Sequence, residues 1–499
     1  MVILVALMLA MLLAALDQTV VATALPRIAT DLHGLNKLSW VATAYLLTSA
    51  ISTPLYGKIG DQFGRKKIFQ FSIMLFLVGS ALCGQSRNMD QLVAFRALQG
   101  IGAGGLMTLS MTIVGDIVPP RQRGKYLGYF GSVFALSSVA GPLLGGFFTD
   151  SFSWRWVFYI NLPLGIIALI AVASRLHLPV KRGDHKIDYV GAALLAAATI
   201  PIILATVWGG VIYPWSSPTI LSLFVGGILA AILFTLWEQR QPPAEAMLPT
   251  HLFKNSIFTV SALLSLLAGV ALFASILFIP EYQQIVRGYS AVKSGLLLLP
   301  LVFAMLAALI MSGRLITKTG RYRLFPIIGT LVTALGIWLF SNLTLHTSQV
   351  TLSLWMIVVG IGIGSFMQVM TLAVQNAVPR SELGVATGSA TFFRSIGSSL
   401  GGAVFGAILT SRLTIHLKQL LPNFKDSHNL ASSVVSGVAP TTLQKLPSSI
   451  SHDIYKAFVL SFHDMFLLAI PVMLLSFMIA LFLKETPLRN TTHDPSDLS

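Results

Sequence analysis

Long apolar runs broken by short polar links set the pattern of this chain from end to end. Runs near residues 2–25, 39–56, 68–84, 92–118, 125–149 and 156–174 form a first set of six. Two more lie near 189–208 and 219–237. A second six follow near 257–279, 294–312, 324–341, 352–378, 385–410 and 464–483. Each is long enough to cross a hydrocarbon layer of ~30 Å, where only helices or closed barrels satisfy their own backbone polar groups. Continuous runs of this length predict helices. The expected fold is an all-α polytopic membrane protein with about fourteen transmembrane helices.

An even number of spans puts both ends of the chain on one side, and the charges say which. Links 57–67, 119–126, 175–188, 239–256, 313–323 and 379–384, with the tail 484–499, hold twenty of the 33 Lys and Arg. The alternate short loops hold six, and segment 411–463 another five. The positive-inside bias therefore predicts that those links and both termini are cytoplasmic. Segment 411–463 is rich in Ser, Lys and His, and its Pro422, Gly437, Pro440 and Pro447 predict an external loop without a long helix.

Composition narrows the class further. Of 499 residues, 55% are hydrophobic and 10% charged, against about 25% charged in soluble domains. The net charge of +15 is what cytoplasmic links supply. No basic patch carries interleaved aromatics, so a nucleic-acid partner is excluded. The lone cysteine, Cys83, lies in an apolar run and rules out an intrachain disulfide framework. The first run starts at Met1 without a basic leader and contains Asp17, which reads as a spanning helix and not a signal peptide.

The chain also repeats itself. "GKIGDQFGRKK" at 57–67 returns as "GRLITKTGRYR" at 313–323, placing Gly57, Gly64 and Arg65 on Gly313, Gly320 and Arg321. "GPLLGG" at 141–146 returns as "GSSLGG" at 397–402, and "VPPRQRG" at 118–124 as "VPRSELG" at 378–384. Three echoes in one order predict duplicated six-helix halves, the parallel repeat of many transporters. The expected domains are an N-terminal bundle over 1–175 and an insert of two helices over 176–256. A C-terminal bundle over 257–483, which includes the external loop, and a cytoplasmic tail over 484–499 complete the chain.

Several polar residues stand where lipid would not tolerate them idle. Asp17 lies about two-thirds along the first span, inside the hydrocarbon layer, where an acid is costly unless paired or facing water. The alternative is a hydrogen-bonded structural acid near the outer interface. Arg96 is the first cation of span 4, and it either acts inside the bundle or snorkels to the headgroups. Arg394, mid-run in span 13, is harder to dismiss that way and is expected to line a cavity or pair with an acid. Glu281, beside Pro280 and Tyr282 at the outer end of span 9, is either a second cavity acid or an interfacial one. Asp464 is expected to start span 14. In the opening link, Asp61 and Arg65 stand four apart and can pair if the segment is helical.

"GIGAGG" at 100–105 matches a dinucleotide pattern, but no strand precedes it; close helix packing through small residues suffices. In "AGPLLGG" at 140–146, Pro142 removes a backbone donor and is expected to bend the helix, while Gly141, Gly145 and Gly146 permit tight contact. No metal, hydrolase or nucleotide-binding constellation appears, so no cofactor and no enzyme activity are expected, and a pump without its own nucleotide site must draw on an ion gradient or on the substrate's own.

These strings together resemble the major facilitator superfamily and, within it, the fourteen-helix drug:proton antiporter-2 family (EmrB/QacA type), over nearly the whole chain. "GKIGDQFGRKK" resembles the loop between helices 2 and 3, "LVAFRALQGIGAGG" at 92–105 the helix 4 motif, and "AGPLLGG" the helix 5 antiporter motif. "LDQTVVATALP" at 16–26 resembles the helix 1 motif, and "SWRWVFYINLPLG" at 153–165 is the most family-specific string. The resemblance implies a plasma-membrane monomer that exports amphipathic or cationic drug-like compounds in exchange for protons by alternating access. It implies that Asp17 serves proton coupling or substrate recognition and that Arg96 tunes it. It further implies a cytoplasmic latch in which Arg65 pairs with Asp116 while Asp61 faces the N-terminus of span 13, a one-sided latch because Thr317 replaces the acid in the second repeat. Rival readings on the same fold are an exporter of one physiological compound (a lipid, a metabolite or an antibiotic) and a sugar or organic-anion importer.

Overall fold

The computed structural model of the protein describes residues 2–34, 37–176, 178, 187–210, 212–242, 245–421 and 448–488. Among these, the chain is helical throughout, with α1 (Val2–Asp31), α2 (Leu38–Phe63), α3 (Arg65–Gln85), α4 (Met89–Ile117) and α5 (Pro120–Ser151). The sixth span is split into α6 (Trp156–Tyr159) and α7 (Asn161–Arg175). The inserted pair is α8 (Tyr189–Trp208) and α9 (Pro218–Glu238). The second set comprises α10 (Ser256–Ile285), α11 (Ala291–Leu296) with α12 (Leu299–Thr319), α13 (Leu324–Ser341), α14 (Gln349–Ala377), α15 (Leu383–Leu420) and α16 (Ser448–Leu481).

Thirteen of the spans are apolar enough to be recognised as membrane-crossing by composition, with α11–α12 and α6–α7 each counted once. The fourteenth is α2, whose Ser and Thr content lowers its hydropathy. The reason is its neighbour: Thr48 and Ser52 donate to the Ala97 and Ile101 carbonyls of α4, at 2.8 and 3.1 Å. Gly100 and Gly104 of α4 sit against the same turns, with no room for a Cβ. A helix that faces protein on this side satisfies its hydroxyls there and needs less grease than one facing lipid.

Packing follows the sequence repeat. In the first half α1 packs on α5, α2 on α4 and α3 on α4; in the second, α10 packs on α15, α12 on α14 and α13 on α14. The halves then exchange partners, with α2 against α15 and α12 against α5. The inserted α8 touches both α2 and α15, so the pair covers that seam. A hydroxyl bond of 2.8 Å between Thr206 and Ser399, and the edge-on rings of Trp40 and Trp208, fix it there.

Helix limits depart from the hydropathy reading in places. The predicted external loop 411–463 is shorter: α15 continues through Leu420 and α16 begins at Ser448. Leu413 and Leu417, one turn apart, are fully buried in a cluster with Ile454, Ala457 and Phe458, and that apolar stripe extends both helices. Residues 422–447, with Pro422, Gly437, Pro440 and Pro447, lie outside the described residues, as do 489–499 of the predicted tail. The near part of that tail is docked, since Glu485 accepts from the Tyr322 backbone N–H at 2.8 Å and Leu483 is buried. Asp464 does not start its helix. It lies midway along α16, paired with His416 at 3.0 Å and Arg412 at 3.7 Å. Gly146 meets open space, unlike Gly141 and Gly145, whose missing Cβ atoms make way for Thr19 and Thr23 of α1. The missing Cβ of the third glycine therefore makes way for no neighbour among the described residues. Pro142 lies inside α5, which is helical on both sides of it.

Candidate functional site

Two clusters assemble residues singled out in the sequence. The first lies inside the N-terminal bundle. Asp17 of α1 and Arg96 of α4 are each 1% exposed and form an ion pair between Oδ2 and Nη1. Lipid contact and snorkelling are both ruled out for this pair. Asp17 Oδ1 accepts from Gln99 Nε2 at 2.8 Å and from Asn161 Nδ2 at 3.0 Å. Arg96 also donates to Gln99 Oε1 at 2.8 Å and to the Val41 carbonyl at 3.3 Å, and its guanidinium lies 4.2 Å from the centre of the Tyr45 ring. Three elements, α1, α4 and α7, thus meet at one carboxylate, and Asn161 reaches on to Ser80 of α3 at 3.0 Å.

Each partner has a local reason to be there. Gln99 is three residues beyond Arg96 and so shares its helix face. Asn161 opens α7, directly after the short break from α6. The carboxylate therefore meets an opposite charge and two amide donors inside the bundle. A buried pair of this kind adds little stability in itself, but removing one partner strands the other at a cost of about 3–5 kcal/mol. Gln99 and Asn161 escaped the sequence reading, although both stand inside strings it had quoted.

The second cluster closes the end of the molecule that carries the basic links. Arg65 pairs with Asp61 at 2.5 Å and with Asp116 of α4. Asp61 also accepts from the backbone N–H groups of Gly384 and Val385, at 3.1 and 3.0 Å. A carboxylate at the first turn of α15 meets unpaired donors and the positive end of the helix dipole. Arg65 donates to the Arg380 carbonyl at 2.9 Å, and Arg380 donates to the Asp116 carbonyl at 3.0 Å. Each of these bonds from Asp61, Arg65 and Arg380 to the far half ties one bundle to the other.

Glycines make that approach possible. A Cβ on Gly57 would overlap the Gly384 carbonyl, and one on Gly384 the Gly57 carbonyl. Gly124 and Gly313 stand in the same relation on the opposite seam. Gly313 is the repeat mate of Gly57 and Gly384 that of Gly124, so the two contacts are related by the duplication. Gly64 and Gly320, a further pair of mates, both take positive φ (93° and 73°) where their helices end. At the second seam no acid stands at Thr317. Its carbonyl instead accepts from Arg121 at 3.2 Å, and Arg123 donates to the Gln375 carbonyl at 3.4 Å. Arg121, Arg123 and Arg380 escaped the sequence reading because a cation aimed at a distant carbonyl leaves no local pattern.

The profile of the Major Facilitator Superfamily matches residues 7–191 and 187–402. The chain belongs to the major facilitator superfamily. Multidrug resistance protein 3 of Bacillus subtilis (strain 168) is 34% identical over 490 residues, covering 97% of this chain and 95% of that protein. Multidrug transporter protein MdtP of the same organism is 37% identical over 448 residues, covering 89% of this chain and 82% of that protein. An uncharacterized MFS-type transporter of Mycobacterium tuberculosis (strain ATCC 25618 / H37Rv) is 39% identical over 500 residues, covering 99% and 71%. Among solved structures, the proton:xylose symporter XylE has a TM-score of 0.63 at 14% identity, covering 98% of this chain and 97% of that chain. That likeness is one of fold.

As a major facilitator chain, the protein is a multi-pass transporter. Two remaining sequence candidates stand apart from the Asp17 cluster. Glu281 lies near the end of α10, and its Oε1 is buried without a hydrogen-bond partner among the described residues. Gln283, two residues on, has both amide atoms in the same condition. The Arg394 guanidinium, in α15, carries no hydrogen bond or ion pair among the described residues. Asp17 and Arg96 are paired at home. Glu281 and Arg394 are not.

Proposed function

We propose that this chain is a proton-coupled antiporter of the plasma membrane that exports amphipathic or cationic drug-like compounds. It works by alternating access, with the basic end and both termini in the cytoplasm. The observation that carries the coupling is the buried Asp17–Arg96 pair with its Gln99 and Asn161 donors. The names of relatives that are alike along most of their length support the drug-export half.

With its basic end fastened, the molecule is in an outward-facing state, and Asp17 is ionised and neutralised by Arg96. A proton arriving from outside takes the place of Arg96 on Asp17. Arg96 then retires toward the Tyr45 ring and the Val41 carbonyl, which already hold part of its charge. Relieved of that pair, the bundle repacks, the Asp61–Arg65–Asp116 latch opens, and substrate enters from the cytoplasm. Proton release inward restores the pair and with it the outward-facing state. Ligands shift such an equilibrium only through differential affinity, and here the proton favours the unpaired state. The Glu281 carboxylate and the Arg394 guanidinium, without a partner among the described residues, are left for substrate groups or, at Glu281, a second proton.

The test is ethidium accumulation in bacteria that lack their own major efflux pumps. Expression should lower accumulation severalfold, a protonophore should abolish that effect, and Asp17→Asn should abolish it at equal membrane abundance. Unchanged accumulation across a panel of lipophilic cations would defeat the reading.

A further inference from the structure

Away from both clusters, the inserted pair leans on α15 across a cavity of about 370 Å³. Ala198 and Ile202 of α8 and Ala231 and Phe234 of α9 form one wall. Phe392, Phe393 and Ile396 of α15 form the other, and Phe253 of the link before α10 completes the lining. The polar side chains are three threonines and Glu238, whose carboxylate already accepts from the backbone N–H groups of Met247 and Leu248 at 3.1 and 3.2 Å. Water needs two to four polar partners and finds few here. Left empty, an apolar void of this size would forfeit the contacts of its walls. Its volume falls in the ordinary range of small-molecule sites.

The surroundings point to the occupant. On its outer face α9 presents Val225, Ile228, Leu229 and Ile232, each more than half exposed, to the bilayer. α9 thus faces the cavity on one side and the bilayer on the other. Phe392 and Ile396 lie nine and thirteen residues beyond the start of α15, roughly 14–20 Å in from the basic end. Exposed Arg240 and Lys254 flank the α9–α10 link at that end, where the headgroup of an anionic lipid would sit.

We infer that the cavity between α8–α9 and α15 binds one acyl chain of an anionic bilayer phospholipid. The occupied site braces α15, the helix whose first turn Asp61 holds, and gives the inserted pair a task separate from the transported compound. It stands independently of the substrate proposed above.

The full chain in nanodiscs containing phosphatidylglycerol with a diazirine in its acyl chain tests this. Photolabelling should reach Phe392, Phe393 and Ile396, the α15 wall of the cavity. The double variant Ala198→Phe/Ala231→Phe should cut that labelling at least fivefold while leaving labelling of Ile228 and Ile232 unchanged, an internal check on folding. The milder Ala198→Leu and Ala231→Leu should each lower it about twofold. No labelling of the α15 wall, or equal labelling in the filled variants, overturns the proposal. So does labelling of that wall by a photoreactive lipophilic cation with none by the lipid probe, which would assign the cavity to the transported class.

Discussion

Asp17 owes its character to its neighbours. Its carboxylate is buried against an arginine and two amide donors, so removing any one of them leaves a buried polar group short of a partner. Arg96→Met should therefore destabilise the protein by about 3–5 kcal/mol, seen as a lower melting temperature in detergent. The double variant Asp17→Asn/Arg96→Met, with neither charge, should recover most of that loss; equal damage in the double variant would show that the pair is not the cause. Asn161→Leu removes one donor and leaves a buried oxygen short. It should weaken drug resistance several-fold while the protein still reaches the membrane. The acid and the cation were legible from position alone, since charges inside apolar runs are conspicuous. Their amide partners were not. Gln and Asn cost less in such a run, and only the convergence of α1, α4 and α7 reveals which ones meet the carboxylate.

Among the helices, glycine contacts and the Asp61 latch do the fastening. Gly57 against Gly384 and Gly124 against Gly313 bring backbones together where any side chain would intrude. Gly384→Val should hold the basic end ajar and reduce export about tenfold or more, with surface abundance unchanged. Asp61→Asn keeps the size of the side chain and loses the charge that meets Arg65 and the α15 amides. It should slow turnover while substrate affinity in equilibrium binding holds; normal turnover would remove the latch from the cycle. The repeat was readable because duplicated turns keep their glycines, as Gly64 and Gly320 do with the same sign of φ. Helix ends were less readable. Hydropathy stops α15 near 410, whereas a buried stripe of Leu413 and Leu417 carries it on. In α2 the same cause works in reverse, since helix-facing hydroxyls hide a span from an apolar count.

For the molecule as a whole, the duplication and the two exchanged seams set two bundles against each other, held together here at the basic end. Spin labels placed at Lys67→Cys and Thr319→Cys report the width of that end, and labels at Gln85→Cys and Asn342→Cys report the other, in a Cys83→Ala background. If loss of the Asp17 charge mimics protonation, Asp17→Asn should lengthen the first distance and shorten the second. The insert, which the sequence showed as two extra spans without a purpose, lies along one seam only. The central claim is that substrate leaving through this protein is exchanged for protons carried by Asp17. It is tested most directly in proteoliposomes that trap a pH indicator and a lipophilic cation, with the membrane potential clamped by potassium and valinomycin. An outward gradient of the cation should acidify the lumen with the unsubstituted chain and leave it unchanged with Asp17→Asn or without protein. Alkalinisation, or equal acidification with Asp17→Asn, would contradict the account.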